Sequence, residues 1–154
     1  YYLRLGRQPV GDVFENGYDF KFGKGVEVIG GNDLTIISTG CVLDDVLHSA
    51  KSIEEQTGKS VRVINIHTLK PLDEEIIIKA AKETDLLVTV EDHSIIGGLG
   101  SAVSEVLTEH CPSRLVRIGL NDEFPESGPP IELYEKYGLS SNQISKRIID
   151  ELDK

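Results

Sequence analysis

The sequence predicts an α/β fold in which helices cover both faces of a mostly parallel β-sheet. The first observation is the run Leu86–Val90, which is continuously apolar and rich in β-branched residues, as expected of a strand buried on both faces. The second is that short apolar runs alternate with segments whose apolar residues recur at helical spacing. The third is that short connections join these elements. Together these observations predict a three-layer α/β/α sandwich.

Five short segments are predicted as strands of the sheet. They are Val26–Ile29, Leu34–Ser38, Val61–Ile66, Leu86–Val90 and Leu115–Ile118. Gly30–Asp33, between the first two strands, has the composition of a hairpin turn. Because no helix separates the first strand from the second, the first is the candidate for an antiparallel strand.

Five segments show the periodicity or the end signals of helices. They are Val42 to about Gln56, Glu74–Lys82, Leu99 to about His110, Ile131–Tyr137 and a final amphipathic helix capped by Ser140 or Ser141. Gly58 is predicted to end the first helix in a left-handed conformation, and Asp73 is predicted to cap the second. In the last helix, four residues are predicted to face inward: Ile144, Ile148, Ile149 and Leu152.

Composition limits the classes of partner. A chain of 154 residues with 39% hydrophobic content can bury one sizeable core. The net charge of −10 argues against nucleic acid and anionic membranes as partners, because both would be repelled. No apolar run approaches the length of about 18 residues that a membrane-spanning helix needs. Cys41 and Cys111 lie far apart without metal-ligand spacing, which favours two reduced thiols and a cytoplasmic location.

The beginning of the chain is typical of a piece of a longer protein. The sequence starts with Tyr and contains no Met. Tyr1–Leu5 alternates as a strand does, but Gly6 and Pro9 interrupt it. Residues 6–25 carry five glycines and one proline without sustained periodicity. We therefore expect Tyr1–Leu5 to be the end of a preceding domain and residues 6–25 to be an extended linker.

The candidate functional site lies at the carboxyl ends of the predicted strands, where open α/β sheets meet ligands and partners. Glu91-Asp92-His93 could perform acid–base chemistry or hold a metal. No second His or Cys stands at ligand spacing, however, so we interpret this tripeptide as a hydrogen-bonded cluster at an interface. The predicted crevice or interface comprises Thr39, Gly40, His67, Glu91, Asp92, His93, Gly97, Gly98 and Gly100.

Two cofactor motifs are incomplete in this sequence. The segment Gly98-x-Gly100-x-x-Val103 resembles the glycine motif of dinucleotide-binding folds, but Val103 stands where that motif has a small residue. The glycines also lie several residues beyond the predicted strand, whereas the motif requires them in the tight turn directly after it. We expect these glycines to let the backbone enter the helix and pack closely on a neighbour. The stretches Gly11-Asp-Val13 and Asn32-Asp33 lack a glycine and an asparagine of the motif that holds a thiamine diphosphate–metal unit. The chain therefore carries no complete diphosphate site.

An anion site remains an alternative for the strand-end loops. Helices begin at Ser38–Cys41 and Ser94–Gly100, and the expected strand order places the change of winding direction between these loops. Glu91 and Asp92 would repel an anion. We therefore favour a protein contact surface at this position.

Three stretches together resemble one enzyme family. They are Thr35–Gly40, Ile66–Asp73 and Thr89–Val103, each leading into a helix. Their order and spacing resemble the C-terminal domain of the transketolase family of thiamine diphosphate enzymes, from about Phe22 to the end of the chain. Tyr1–Arg7 is similar to the last strand of the preceding pyrimidine-binding domain. Deoxyxylulose-phosphate synthases and the β subunits of two-oxo-acid dehydrogenases share the same C-terminal fold and stay open as alternatives.

The resemblance implies a five-stranded mixed sheet with one antiparallel edge strand. It divides the chain into residues 1–24, the tail of the preceding domain plus linker, and residues 25–154, the C-terminal domain. It implies a parent enzyme that moves a two-carbon ketol unit from a ketose phosphate to an aldose phosphate with thiamine diphosphate and Mg²⁺. In that family the cofactor lies between pyrophosphate-binding and pyrimidine-binding domains of paired subunits, so those domains and a homodimer are the implied partners. No catalytic, cofactor or metal residue is assigned here, and a separate small-ligand or nucleotide sensor remains the competing hypothesis.

Overall fold

The computed structural model describes residues 2–6, 9–14 and 17–154. The strands are β1 (Val26–Ile29), β2 (Leu34–Thr39), β3 (Val61–Asn65), β4 (Leu86–Ser94) and β5 (Leu115–Leu120). The helices are α1 (Leu43–Thr57), α2 (Glu74–Glu83), α3 (Leu99–His110), α4 (Pro130–Lys136) and α5 (Ser141–Leu152), with a short 3₁₀ turn over Gly40–Val42 ahead of α1. The predicted alternation of strands and helices is therefore confirmed.

The five strands form one mixed sheet in the order β1-β3-β2-β4-β5. Strands β3, β2, β4 and β5 are parallel, and β1 is antiparallel to β3 at one edge. The predicted fold class, including the antiparallel edge strand, is confirmed. The hairpin suggested by Gly30–Asp33 is wrong, because β1 pairs with β3 and not with β2. The turn instead carries the chain past β3, with Gly31 held against the Val61–Arg62 backbone, where no side chain would fit.

Two apolar layers enclose the sheet. The layer on one face combines α1 and α5 with alternate side chains of β2, β3 and β4. The layer on the other face combines α2 and α3 with side chains of the same strands that point the opposite way. Val88 and Leu87, adjacent on β4, belong to opposite layers and are both 0% exposed. This interior strand is therefore covered on both faces, as its continuous apolar sequence predicts.

The two middle strands define the point at which the winding direction changes. Strands β2 and β4 are neighbours, with Thr39 paired to Glu91 at their carboxyl ends. The chain leaves β2 towards α1 on one face and leaves β4 towards α3 on the other. Such a change of direction is where parallel α/β sheets usually form a crevice.

Several local predictions need correction. Strand β4 continues through Ser94 instead of ending at Val90, because its extension pairs with β5 beyond an irregularity in register. The Asp73 side chain does not cap α2. It accepts hydrogen bonds from Gly25 N at 2.9 Å and from Lys24 Nζ at 3.4 Å, and so fixes the segment that leads into β1. The other predicted caps are confirmed: Gly58 has φ of 72°, and Ser140 accepts a hydrogen bond from an α5 amide.

Residues 2–5 form no strand within this chain, and the expectation that Tyr1–Leu5 is the end of a preceding domain stays a prediction. Tyr1 lies outside the described residues. A β-strand forms only where a neighbouring strand can share its backbone hydrogen bonds. This segment instead runs along the carboxyl ends of the parallel strands. Within the described ranges, no helix has both the length and the apolar character that crossing a bilayer requires.

Candidate functional site

Glu91 is the buried centre of the strand-end cluster. Its side chain lies on the α3 face of β4 and is 1% exposed. Its Oε2 accepts a hydrogen bond from Leu99 N at 2.8 Å, and its Oε1 accepts one from Gly100 N at 2.8 Å. The first amides of a helix lack intrahelical partners, and the helix dipole favours a negative group at that end. Glu91 therefore caps α3 across the intervening loop.

The glycines of this loop make that cap sterically feasible. A Cβ on Gly98 would overlap the Glu91 carboxylate and lie 2.8 Å from the Ser94 carbonyl oxygen. A Cβ on Gly100 would lie 2.8 Å from Arg117 Cδ and 2.9 Å from Thr89 Oγ1. Both glycines thus serve close packing, as the sequence predicts. The dinucleotide interpretation fails, because the α3 amides that would receive a phosphate already bind Glu91.

Asp92 points towards the other face of the sheet and joins three separate segments. Arg4 donates to Asp92 Oδ1 at 3.1 Å, to Oδ2 at 3.3 Å and to the Asp92 carbonyl oxygen at 3.2 Å. The Tyr134 hydroxyl, from α4, donates to Asp92 Oδ2 at 3.5 Å. A Cβ on Gly40 would stand 3.0 Å from Asp92 Oδ1, so the end of β2 also closes on this carboxylate. We call Arg4, Asp92 and Tyr134 the Asp92 cluster.

The two predicted histidines do not join Glu91 and Asp92 in a single catalytic arrangement. His93 is exposed. His67 Nδ1 lies 2.8 Å from Thr68 Oγ1, and its ring packs against Phe20 in a tilted arrangement with 4.5 Å between centroids. Burial lowers the pKa of His67, which favours the neutral imidazole at physiological pH. His67 therefore packs the linker against the end of β3.

The remaining predicted residues shape the backbone at the ends of β2 and β4. Thr39 is half-buried and extended, and it pairs with Glu91 across the β2–β4 boundary. Gly40 and Gly97 both have positive φ, at 79° and 77°, where other residues would be strained. Gly97 N donates to Ser101 Oγ at 2.9 Å, so the glycine turn closes onto the first turn of α3.

The chemistry of these groups does not fit a thiamine diphosphate–metal unit. A diphosphate needs free amide or cationic donors, whereas Glu91 fills the α3 amides and Asp92 holds the Arg4 guanidinium. Among the residues that the structure describes, no group of three His, Cys, Asp or Glu side chains could hold a metal ion. We therefore derive no reaction step through that cofactor on this chain.

Arg4 and Tyr134 belong to the site but could not be found from the sequence pattern. Tyr134 lies on a helix that follows the last strand, and Arg4 lies 88 positions from its partner Asp92. Neither residue stands in a recognisable motif. A weak signal for Arg4 is that it is a single cation in an otherwise apolar segment, Tyr2–Leu5.

A family model described as "Transketolase, C-terminal domain" matches residues 23–144. The chain belongs to the transketolase C-terminal domain family. A protein of Methanocaldococcus jannaschii named "Putative transketolase C-terminal section" is 44% identical over 99% of this chain and 48% of its own length. The "6-deoxy-6-sulfo-D-fructose transketolase subunit SqwH" of a Clostridium species is 41% identical over 93% of this chain and 44% of its own length.

A solved structure extends the similarity to three dimensions. The structure titled "Split gene transketolase, inactive beta4 tetramer" matches with a TM-score of 0.88 and 41% identity, over 94% of this chain and 47% of that one. A 1-deoxy-D-xylulose-5-phosphate synthase of Heliobacterium modesticaldum is 39% identical over 80% of this chain and 19% of its own length. This transketolase-family chain thus spans about half the length of the first curated relatives that it matches, or slightly less.

Proposed function

We propose that this chain is the non-catalytic C-terminal contact module of a transketolase, and that its role is to pack against the catalytic domains and the paired subunit. The parent enzyme would transfer a two-carbon ketol unit from a ketose phosphate to an aldose phosphate in the cytoplasm. Thiamine diphosphate and Mg²⁺ would be held by pyrophosphate-binding and pyrimidine-binding domains outside this chain, in a homodimer. The module would comprise residues 25–154, and residues 1–24 would connect it to the domain before it.

The observation that carries this proposal is that the two carboxylates at the end of β4 are satisfied within the chain. Glu91 accepts both of its hydrogen bonds from α3, and Asp92 accepts from Arg4 and Tyr134. A general acid or base needs a substrate proton within reach, and a buried carboxylate that caps a helix has none. The same occupancy disfavours the small-ligand sensor, since the amides that would bind an anion are already used.

The proposal predicts that catalysis requires more than this chain. The 154-residue chain and the full-length protein that contains it would each be assayed for ketol transfer, with fructose 6-phosphate as donor and glyceraldehyde 3-phosphate as acceptor. Both assays would contain thiamine diphosphate and Mg²⁺. We expect turnover from the full-length protein and its partner subunits, and none above background from the chain alone.

Two results would contradict the proposal. Turnover by the chain alone would show that it contains a catalytic centre. Absence of turnover from the full-length assembly, together with condensation of pyruvate and glyceraldehyde 3-phosphate, would instead assign the parent enzyme to the deoxyxylulose-phosphate synthases.

A further inference from the structure

The segment that leads into β1 is held on the fold by two separate contacts. We call this segment, residues 20–25, the lead-in segment. In the first contact, the His67 ring packs against Phe20 with 4.5 Å between centroids, and His67 Nδ1 lies 2.8 Å from Thr68 Oγ1. Thr68 Oγ1 also accepts a hydrogen bond from Gly23 N at 3.4 Å. We call His67, Thr68, Phe20 and Gly23 the His67 contact.

The second contact is made by Asp73. Gly25 N donates to Asp73 Oδ2 at 2.9 Å, and Lys24 Nζ donates to Asp73 Oδ1 at 3.4 Å. Gly25 is also closely packed, since a Cβ there would lie 2.7 Å from Ile66 Cδ1. The lead-in segment is therefore firmly attached at residues 24–25, whereas the residues ahead of them depend on an imidazole.

His67 fits the first contact as a neutral imidazole. Its Nε2 is buried and has no hydrogen-bond partner in the part of the chain that the structure describes. Protonation would place a proton on both ring nitrogens, so that Nε2 would become a charged donor without an acceptor. The Phe20 ring packed against the imidazole supplies no oxygen or nitrogen that could accept this proton. Covering the ring therefore favours the neutral form.

Burial, and not a neighbouring charge, lowers the pKa of His67. The charged side chains of the segment ahead of β1 and of the β3–α2 connection are either exposed or paired with other residues. Lys70 is exposed, and the pairs are Asp19 with Lys21, Lys24 with Asp73 and Glu75, and Glu74 with His110. While the ring is covered, the pKa of His67 lies below its ordinary value of 6.5. The His67 contact is therefore fully stable above that value and weakens as the pH falls below it.

We propose that His67 is a pH-sensitive attachment for the lead-in segment: protonation of its imidazole releases Phe20–Gly23, while Lys24 and Gly25 stay bound to Asp73. The release requires little rearrangement, because Phe20 is already 58% exposed and the 3.4 Å bond from the Gly23 amide is long. Once the ring is uncovered, water satisfies Nε2. At neutral pH the chain ahead of residue 20 is held in a fixed direction, and in acid it is tethered through a free segment. Such a release goes beyond the proposed function and does not depend on it.

Amide hydrogen exchange of the 154-residue chain, whose two core layers close within residues 13–152, tests this release. Protection factors, which correct for the pH dependence of chemical exchange, would be measured at about pH 7.5 and about pH 5.5, within the range where histidines titrate. We expect the protection factor of the Gly23 amide to be at least about threefold lower at the lower pH. Nuclear Overhauser contacts between the Phe20 and His67 rings should weaken in parallel. The amides of Gly25 and of Val63, in the middle of β3, should keep their protection.

Substitutions assign the pH dependence to His67. His67→Gln removes the titrating group, so the protection of the Gly23 amide should no longer change between the two pH values. The matched control, His48→Gln, removes an exposed histidine on α1 and should leave the pH dependence of the parent intact. Phe20→Ala uncovers the imidazole and should therefore raise the pKa of His67 towards its ordinary value, as an NMR titration would show.

Four results would contradict the release. The first is unchanged protection of the Gly23 amide across a range in which His67 titrates. The second is a pH dependence that survives in His67→Gln, which would assign the release to another group. The third is a parallel loss of protection at Gly25 and Val63, which would show that acid loosens the whole fold. The fourth is a pKa of His67 that Phe20→Ala leaves unchanged, since the ring contact would then not hold the imidazole neutral.

Discussion

Val88→Asp is expected to abolish cooperative folding of the chain or to lower its free energy of unfolding by about 5 kcal/mol or more. Val88 is 0% exposed on the interior strand β4 and packs in the layer formed with α1 and α5. An aspartate there would carry either an unpaired charge or an unsatisfied carboxyl group into an apolar layer. Domains of this size have free energies of unfolding of about 5–15 kcal/mol, so this single substitution removes a large fraction of the total.

Urea denaturation followed by circular dichroism would measure the effect of Val88→Asp. The matched control is Val10→Asp, which makes the same change at a half-exposed valine outside the core and should cost less than about 0.5 kcal/mol. A Val88→Asp variant with the midpoint of the parent would show that Val88 does not lie in the buried core.

Glu91→Ala is the second large effect, and we expect it to destabilise the chain by about 3 kcal/mol. The substitution leaves the buried Leu99 and Gly100 amides without their acceptor, which lies at 2.8 Å from both. It also removes the negative group from the N-terminus of α3. A Cβ at Gly98 would overlap this carboxylate, so the backbone of the loop packs directly against it.

The Glu91 effect can be separated from a simple loss of charge. Glu91→Gln keeps one acceptor oxygen for the α3 amides and should cost less than Glu91→Ala. Glu109→Ala, on an exposed residue near the other end of α3, should change the free energy of unfolding by less than about 0.5 kcal/mol. If thermal denaturation showed all three variants to be equally stable, Glu91 would not be the cap that holds α3.

Much of the fold could be predicted because periodicity and end signals act locally. The run Leu86–Val90 indicates a strand buried on both faces, and Gly58 indicates a helix end, without knowledge of any partner. The pairing of β1 with β3 could not be predicted, since the hairpin composition of Gly30–Asp33 favours pairing of β1 with β2. Asp73 has the type and position of a helix cap, and only the folded chain brings the Gly25 amide to it.

The sequence named candidate residues at the strand ends but not their arrangement or all of their partners. Glu91, Gly98 and Gly100 are brought together because the loop between β4 and α3 folds back on the strand end. The partners of Asp92 depend on contacts across 42 and 88 positions of sequence, which no local pattern encodes. The expected role of these residues as a contact surface remains a prediction until the full-length protein is measured.

The most direct test of the central proposal, that this chain carries no cofactor site of its own, is isothermal titration of the 154-residue chain with thiamine diphosphate in the presence of Mg²⁺. The full-length assembly titrated under the same conditions is the positive control. We predict no saturable heat from the chain alone at cofactor concentrations into the millimolar range, because the α3 amides are occupied by Glu91. Stoichiometric binding to the chain with a micromolar Kd would contradict the account.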